Sequence, residues 1–120
     1  MKLNHPTPED AFANHSDQVE LTVQGKITEI LKDDNLGLPH QRFIMTLPSG
    51  LTLLVLNNLD RAKELPLEVG QSVEVKGQYR WNRHGGLLHD THRDHRTGHL
   101  DGWILLLDIN VSNSFTQTAS

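Results

Sequence analysis

Alternation of hydrophobic and polar positions predicts strands over most of the chain. In "VELTVQGKITEIL" (residues 19–31) hydrophobic side chains recur at alternate positions until Gly25 interrupts them. This pattern predicts one long strand that is bent or bulged near the glycine. The segments "HQRFIMTL" (40–47) and "LTLLVLN" (51–57) flank the turn sequence "PSG", so they are expected to form a hairpin.

The second half of the chain continues the pattern. Residues 70–81 alternate again, and residues 85–92 are expected to pair back on them through a turn at residues 82–86. Residues 102–111 form the predicted last strand. Two short helices are predicted: one or two turns in "LDRAKEL" before Pro66, and a helix capped by Thr7 with Pro8 at its first position.

These elements predict a mainly all-β protein. Five to six strands, a long bent first strand and one or two short helices fit a small OB-like Greek-key barrel, with a β-sandwich as the alternative. We expect residues 1–18 to form an N-terminal segment with a short helix, 19–111 the barrel and 112–120 a flexible tail. Barrels of this type bind oligonucleotides or sugars on the face of strands 2 and 3, but fold alone does not establish function.

Composition narrows the class of protein. The chain has 120 residues, of which 36% are hydrophobic, enough for one domain with one core. Its longest apolar run, "WILLL", is far shorter than the roughly 20 residues of a membrane span. No apolar leader and no cysteine are present, so a cytoplasmic location is expected. A formal net charge of −4 argues against coating long nucleic acid but allows a small anionic ligand.

The most unusual stretch is "WNRHGGLLHDTHRDHRTGHLDGW", residues 81–103. It contains five histidines and three aspartates, which are His84, His89, His92, His95, His99, Asp90, Asp94 and Asp101. Three of these histidines and one carboxylate could bind a divalent metal such as Zn or Mn, with the ligands His89, His92, Asp94 and His99. This spacing is not a strong metal signature. The plainest alternative is a solvated hairpin tip, and His84 and His95 are expected at the surface.

Metal-free acid–base catalysis is the second interpretation of the cluster. Cleavage of an RNA-type phosphodiester needs a base for the 2′-hydroxyl, an acid for the leaving 5′-oxygen and a cation near the phosphate. The candidate proton-transfer residues are His40, His89, His92 and His99, and the candidate phosphate partners are Arg42, Arg83, Arg93 and Arg96. Alternation puts His40 and Arg42 on one face of a strand mouth. A strand-start histidine bonded to a loop carbonyl is an equally good interpretation of His40.

Aromatic and amide residues provide further candidates. Tyr79 and Trp81 could stack bases or anchor the core, whereas Trp103 is expected in the core. Asn58 and Asp60, with Asn57, follow the third strand, where they could cap a turn or border a ligand groove. Gly85 and Gly86 are expected to supply positive φ in the hairpin.

Three blocks of the sequence resemble a family of small bacterial proteins catalogued as a domain of unknown function. They are "HQRFIMTLPSGLTLLVLNNLD", "GQYRWNRHGGLLHDTHRD" and "GHLDGWI", and the resemblance extends over residues 19–107. The matched positions are His40, Phe43, Asn58, Asp60, Tyr79, Trp81, Asn82, Gly85, Gly86, His89, Thr91, His92, Asp94, His99, Gly102 and Trp103. Asn57 and Asp90 stand where the family often has His and Trp, and Arg93 and His95 replace the usual His and Pro.

The resemblance also suggests an association with ring nucleases, which degrade cyclic oligoadenylate signals in type III CRISPR or phage counter-defence. The leading hypothesis is therefore a metal-independent phosphodiesterase acting on RNA or a cyclic oligonucleotide. His89 and His92 would form the acid–base pair and His40 or His99 would assist. Arg42 or Arg93 would bind phosphate. The alternatives are a non-catalytic OB-type module for an oligonucleotide or small anion, and a His/Asp metalloprotein. No membrane partner is expected. A symmetric dimer would present two sites to a ring-shaped ligand, although nothing in the sequence requires one.

Overall fold

The fold is seen in a computed structural model that describes residues 7–34, 39–93 and 101–114. Its elements are α1 (Pro8–Ala13), β1 (Val19–Asp34), β2 (His40–Thr46), β3 (Thr52–Asn58), β4 (Ser72–Arg80), β5 (Leu87–His89), β6 (Trp103–Leu106) and β7 (Val111–Ser112). The predicted cap of α1 is confirmed, because Thr7 Oγ1 accepts from the amide of Asp10 at 3.0 Å. Within these residues no helix has the length and apolar character needed to cross a membrane.

Five strands form a ring in the order β1-β2-β3-β5-β4, and pairing between β4 and β1 returns the ring to its start. All pairings in the ring are antiparallel except that of β3 with β5. The mainly β prediction is confirmed, and the ring is compatible with the predicted OB-like barrel, although the described residues contain seven strands rather than five to six. β1 takes part twice, since it pairs with β4 through Lys26 and with β2 from Lys26 onward. Gly25 permits the change of partner, because a Cβ there would lie 2.6 Å from the Thr46 carbonyl oxygen.

The core lies inside this ring. β2, β3 and β4 alternate strictly between buried and half-buried positions, as the sequence pattern predicted. Phe43, Met45, Val55 and Tyr79 are among the side chains with 0% exposure. Each such large apolar side chain contributes about 1.5–3 kcal/mol on burial, so the inward face of these strands specifies their register.

A cluster of buried amides, Gln41, Asn57 and Asn113, closes one end of the core. Asn57 Nδ2 donates to Gln41 Oε1 and to the Lys63 carbonyl, both at 2.9 Å. Asn113 Nδ2 donates to Asn57 Oδ1 and to the Thr91 carbonyl, and Asn113 Oδ1 accepts from the amide of Ile104. The amide cluster therefore ties β2, β3, β6 and the segment after β5 together.

This amide cluster corrects two predictions. No helix forms in residues 59–65. A single turn follows Asn58, whose carbonyl accepts from the amides of Arg61 and Ala62. The turn does not continue into a helix, because the Lys63 carbonyl accepts from Asn57 Nδ2 and the Lys63 amide donates to the Asn113 carbonyl. Asn113, assigned by the sequence to a flexible tail, is 1% exposed.

The predicted last strand, residues 102–111, is also wrong in part. It divides into β6 and β7, which pair antiparallel with Leu105 opposite Ser112. A turn replaces its middle. Asp108 in that turn accepts from the amide of Ser72 at 3.0 Å, and Asn110 adopts a left-handed φ of 57°. Asp108 and Asn110 are residue types that favour turns, but the apolar run before them carries no alternation to mark where the strand ends.

Gly86→Ala is expected to lower the free energy of unfolding by about 2 kcal/mol more than Gly50→Ala. Both glycines have positive φ, 109° at Gly86 and 95° at Gly50. An added Cβ at Gly86 would lie 2.3 Å from the ring of Tyr79, whereas at Gly50 nothing lies within 4 Å. Chemical denaturation measures the free energy of unfolding of both variants. The difference between them is the cost of the clash with Tyr79, because both variants carry the cost of placing alanine at positive φ. Equal losses would contradict the packing described for Tyr79.

Tyr79 is expected to resist alkaline titration. Its hydroxyl donates to the Gly85 carbonyl at 2.8 Å. Burial raises the pKa of Tyr79 above 10.0, and the negative charge of Asp17 adds to the effect. Unfolding thus releases this proton above pH 10, so stability falls as pH rises from there through the folded pKa. Tyr79 is the only tyrosine, so ultraviolet phenolate absorbance measures it alone. Titration at the unfolded value in intact protein would refute the burial argument.

Candidate functional site

Two strands pair with different parts of β4. β5 pairs with residues 78–80 of β4, and β6 pairs with residues 73–76 of the same strand. Gly77 lies between these two sets of partners. The described residues between β5 and β6, which are 90–93 and 101–102, are hereafter called the excursion. Asp90 begins the excursion with a left-handed φ of 54°, a conformation that Asp tolerates better than most residues.

Close backbone approaches fix the two ends of the excursion. A Cβ at Gly102 would lie 2.5 Å from the carbonyl oxygens of Asp90 and Lys76, and one at Gly77 would lie 2.6 Å from that of His89. The amide of Gly102 donates to the His92 carbonyl at 2.9 Å. Thr91 is fully buried, and its hydroxyl donates to the Leu56 carbonyl at 2.6 Å. Residues 90–92 are therefore held rigidly against the sheet, which is how a loop positions functional side chains.

His89 ends β5 on the outer face of the ring. Its Nε2 lies 2.9 Å from Gln78 Oε1, and because a carbonyl oxygen only accepts, Nε2 is the donor. Its Nδ1 lies 3.7 Å from Asp90 Oδ2. An amide oxygen therefore faces Nε2 of His89 and a carboxylate oxygen faces Nδ1. The surroundings of His89 thus suit a proton donor.

His92 is 7% exposed. Its Nδ1 lies 3.1 Å from the Arg93 carbonyl oxygen, so Nδ1 carries the hydrogen and Nε2 is the basic nitrogen of the neutral ring. This is the tautomeric control expected of a histidine that accepts a proton or binds a metal through Nε2.

The structure describes two of the four ligands that the metal hypothesis needs. His89 and His92 are described, whereas Asp94 and His99 lie outside the described residues, as do His95 and Arg96. Over residues 7–34, 39–93 and 101–114, no three His, Asp or Glu side chains are grouped as a metal site requires. The predicted set of four stays a prediction.

His40 and Arg42 lie on the same outer face as His89, two strands away. Arg42 is opposite Leu56 on β3, and the register of β3 with β5 places Leu56 beside His89. Arg42 donates from Nε and Nη2 to the Lys32 carbonyl, at 3.1 and 2.7 Å, which fixes its guanidinium at the end of β1. His40 is half-buried and opposite Asn58. One row across the sheet therefore carries Arg42, Leu56 and His89.

Two predicted base-stacking residues are corrected by the structure. Tyr79 has 0% exposure, so its ring cannot contact a base, and it is a core residue. Trp81 supports α1: its ring centroid lies 6.2 Å from that of Phe12 and 4.1 Å from that of His15. Its Nε1 donates to the Phe12 carbonyl at 3.1 Å. Both rings are occupied by structural packing.

Trp103 has the opposite outcome. It was expected in the core, but it is half-buried on the outer face of β6, opposite Lys76. Ile104 and Leu106 take the inward positions instead. Sequence reasoning missed this residue because "WILLL" is apolar at every position, so its alternation cannot be read.

The remaining predicted residues have simpler positions. Asn58 caps the turn after β3, since its Oδ1 accepts from the amide of Asp60 at 2.9 Å, and Asp60 itself is exposed. Arg83 and His84 are exposed in the β4–β5 turn, whose shape is set by Asn82 Oδ1 accepting from the amides of His84 and Gly86. Arg93 is exposed beside His92. Of these, Arg93 lies next to His92, and Asn58 is the cross-strand partner of His40.

A groove of about 480 Å³ lies elsewhere, where β1 changes partner. It is lined by Gln24, Gly25, Lys26, Thr28, Thr46, Leu47, Pro48, Ser72 and Leu107. Most of these residues belong to β1, to the end of β2 and to the start of β4. His40 lies at the other end of β2, and His89 pairs with Gln78 near the other end of β4. The groove is mostly apolar and carries none of the histidine chemistry, so the excursion remains the candidate site.

The fold and the site together define the class: a mainly β protein with a ring of five strands, compatible with an OB-like barrel, and a histidine-bearing excursion between β5 and β6. Residues 4–111 match the family described as "Protein of unknown function (DUF3465)", and the chain belongs to that family. No curated protein and no solved structure matches the chain.

Proposed function

We propose that this protein is a phosphodiesterase that cleaves RNA-type linkages by metal-independent histidine acid–base catalysis, with linear or cyclic oligoadenylates as the substrates to try first. The observation that carries the proposal is that residues 90–92, at the start of the excursion, are held in place by hydrogen bonds to Leu56 and Asn113. There, two histidines three residues apart are held with different proton arrangements. One has a carboxylate beside Nδ1, and the other has Nδ1 engaged by a carbonyl.

The proposed reaction assigns each histidine one proton. His92 Nε2 would accept the proton of the 2′-hydroxyl as that oxygen attacks phosphorus. The bond from phosphorus to the 5′-oxygen would break, and His89 would donate a proton to that leaving oxygen. The products are a 2′,3′-cyclic phosphate and a 5′-hydroxyl, so atoms and charge balance without a cofactor. Arg42 and Arg93 are the cations that the sequence predicts for the phosphate.

A non-catalytic oligonucleotide-binding module is the second candidate, and Trp103 favours it. A half-buried tryptophan with a lysine beside it, on the outer face of an OB-like ring, is typical of surfaces on which bases stack. This function would need the same outer face but no proton transfer. It predicts oligonucleotide binding with no turnover.

The test is incubation of untagged protein with linear and cyclic oligoadenylates and with single-stranded RNA, in EDTA and then with Zn²⁺ or Mn²⁺. The proposal expects cleavage in EDTA and products ending in cyclic phosphate. Cleavage only after metal addition would replace acid–base catalysis by the metal hypothesis. Binding without cleavage under every condition would support the binding module and overturn the phosphodiesterase.

A further inference from the structure

Trp103 is held in one orientation by a chain of side-chain hydrogen bonds. Its Nε1 donates to Glu74 Oε2 at 2.9 Å, and Glu74 Oε1 accepts from Gln24 Nε2 at 2.7 Å. The chain crosses from β6 through β4 to β1 on the outer face of the sheet. A ring fixed in this way loses little freedom when a ligand packs on it, which favours binding.

A cation accompanies the ring. Lys76 Nζ lies 5.2 Å from the centroid of Trp103, within the range of a cation–π interaction. Lys76 and Trp103 are direct cross-strand partners. The pair thus offers an aromatic surface and a positive charge at the same place, the two features by which single-stranded nucleic acid is bound.

The pair also lies next to the candidate catalytic residues. Lys76 and Gln78 are successive outward positions on β4, about 7 Å apart along the strand. Trp103 is the partner of Lys76, and His89 is the partner of Gln78. His89 is therefore the last strand residue before the excursion and Trp103 is the first strand residue after it, and both lie on the same side of the sheet.

We infer that Trp103 and Lys76 form a nucleotide subsite in which the indole stacks one base and the ammonium meets the adjoining phosphate. The inference rests on the proposed function for its substrate class, since it positions the base next to the cleaved linkage. Glu74 lies beside the lysine, so stacking rather than charge supplies most of the affinity. Binding should then depend only weakly on salt.

Fluorescence of Trp103 provides the direct test. The chain has two tryptophans, so Trp81→Phe leaves Trp103 as the sole indole. A deoxyadenylate tetramer lacks the 2′-hydroxyl, cannot be cleaved by the proposed route, and reports binding alone. We expect it to quench the fluorescence of the Trp81→Phe protein. An abasic tetramer of equal charge should bind at least about tenfold more weakly, because it has no base to stack.

Variants of the subsite supply the matched comparison in the wild-type background, independent of whether Trp81→Phe folds. Anisotropy of a labelled deoxyadenylate tetramer should show about 10- to 100-fold weaker binding for Trp103→Leu and near-complete recovery for Trp103→Phe, which keeps an aromatic face. Lys76→Met should remove most of the small salt dependence, about −0.7 in the slope of log affinity against log salt.

The outcomes separate this subsite from the proposed function. Unchanged affinity in Trp103→Leu, or equal affinity for the abasic and base-bearing tetramers, overturns the subsite, even where the protein cleaves RNA. Tetramer binding that depends on Trp103, in a protein that cleaves no RNA, supports the subsite and rejects the phosphodiesterase. Cleavage with a raised KM and unchanged kcat in Trp103→Leu supports both.

Discussion

His89→Ala and His92→Ala are each expected to slow phosphodiester cleavage by about 10²–10⁴-fold, the usual contribution of a positioned proton donor or acceptor. The physical reason lies in the arrangement at the start of the excursion. Asp90 Oδ2 lies 3.7 Å from Nδ1 of His89, and the Arg93 carbonyl lies 3.1 Å from Nδ1 of His92, so the basic nitrogen of His92 is Nε2. Single-turnover rates in EDTA measure the loss. His84→Ala is the matched control, because His84 is exposed in the β4–β5 turn and should keep wild-type activity.

A modified leaving group separates the two roles. A substrate with sulfur in place of the bridging 5′-oxygen needs little protonation when that bond breaks. His89→Ala should therefore recover most of its activity on this substrate, whereas His92→Ala should not. Recovery by His92→Ala alone would reverse the assignment of acid and base. Wild-type rates in both alanine variants on the ordinary substrate would exclude both histidines from catalysis.

Asn113→Ala is expected to lower the free energy of unfolding by about 3–4 kcal/mol, a large effect for a residue near the end of the chain. The substitution leaves three buried groups without their partner: Asn57 Oδ1, the Thr91 carbonyl and the Ile104 amide. Each such group costs about 1–3 kcal/mol when neither protein nor water replaces the bond. Denaturation in urea measures the loss, and Asn14→Ala, at an exposed asparagine, should change stability by less than about 0.5 kcal/mol.

The same variant should also loosen the start of the excursion. Thr91 is held from one side by Leu56 and from the other by Asn113, and it immediately precedes His92. Amide hydrogen exchange at residues 90–92 should therefore increase in Asn113→Ala more than in β2. A variant as stable as Asn14→Ala would show that the amide cluster does not hold the fold together.

Strict alternation made the inward faces of β2, β3 and β4 predictable, because a two-residue period leaves one choice of buried set. The same rule failed for Trp103, whose strand is apolar on both faces. It left the role of Trp81 open, because β4 ends at Arg80 and Trp81 lies one residue beyond it, half-buried against the core and α1. Where a strand ends depends on partners distant in sequence, and those partners are not visible locally.

The candidate site was predictable as a set of residue types and only partly as an arrangement. The histidines were found from their density, but the interruption of a strand opposite Gly77 was not. The sequence did contain a signal for this interruption. Because the turn at residues 82–86 is tight, the residues just after it can pair only with the end of β4. The start of β4 must then pair with a strand that comes later in the chain. The buried role of Asn57 also came only from the structure. A position that looked like part of a surface site is the centre of the amide cluster.

The most direct measurement is cleavage of an oligoadenylate in excess EDTA, compared with the same oligomer carrying a single 2′-deoxy sugar. If the proposed function is right, the wild-type protein cleaves the ribose oligomer to a 2′,3′-cyclic phosphate and a 5′-hydroxyl, and leaves the linkage after the deoxy sugar intact. Cleavage at the deoxy position, or no cleavage of the ribose oligomer, would contradict it.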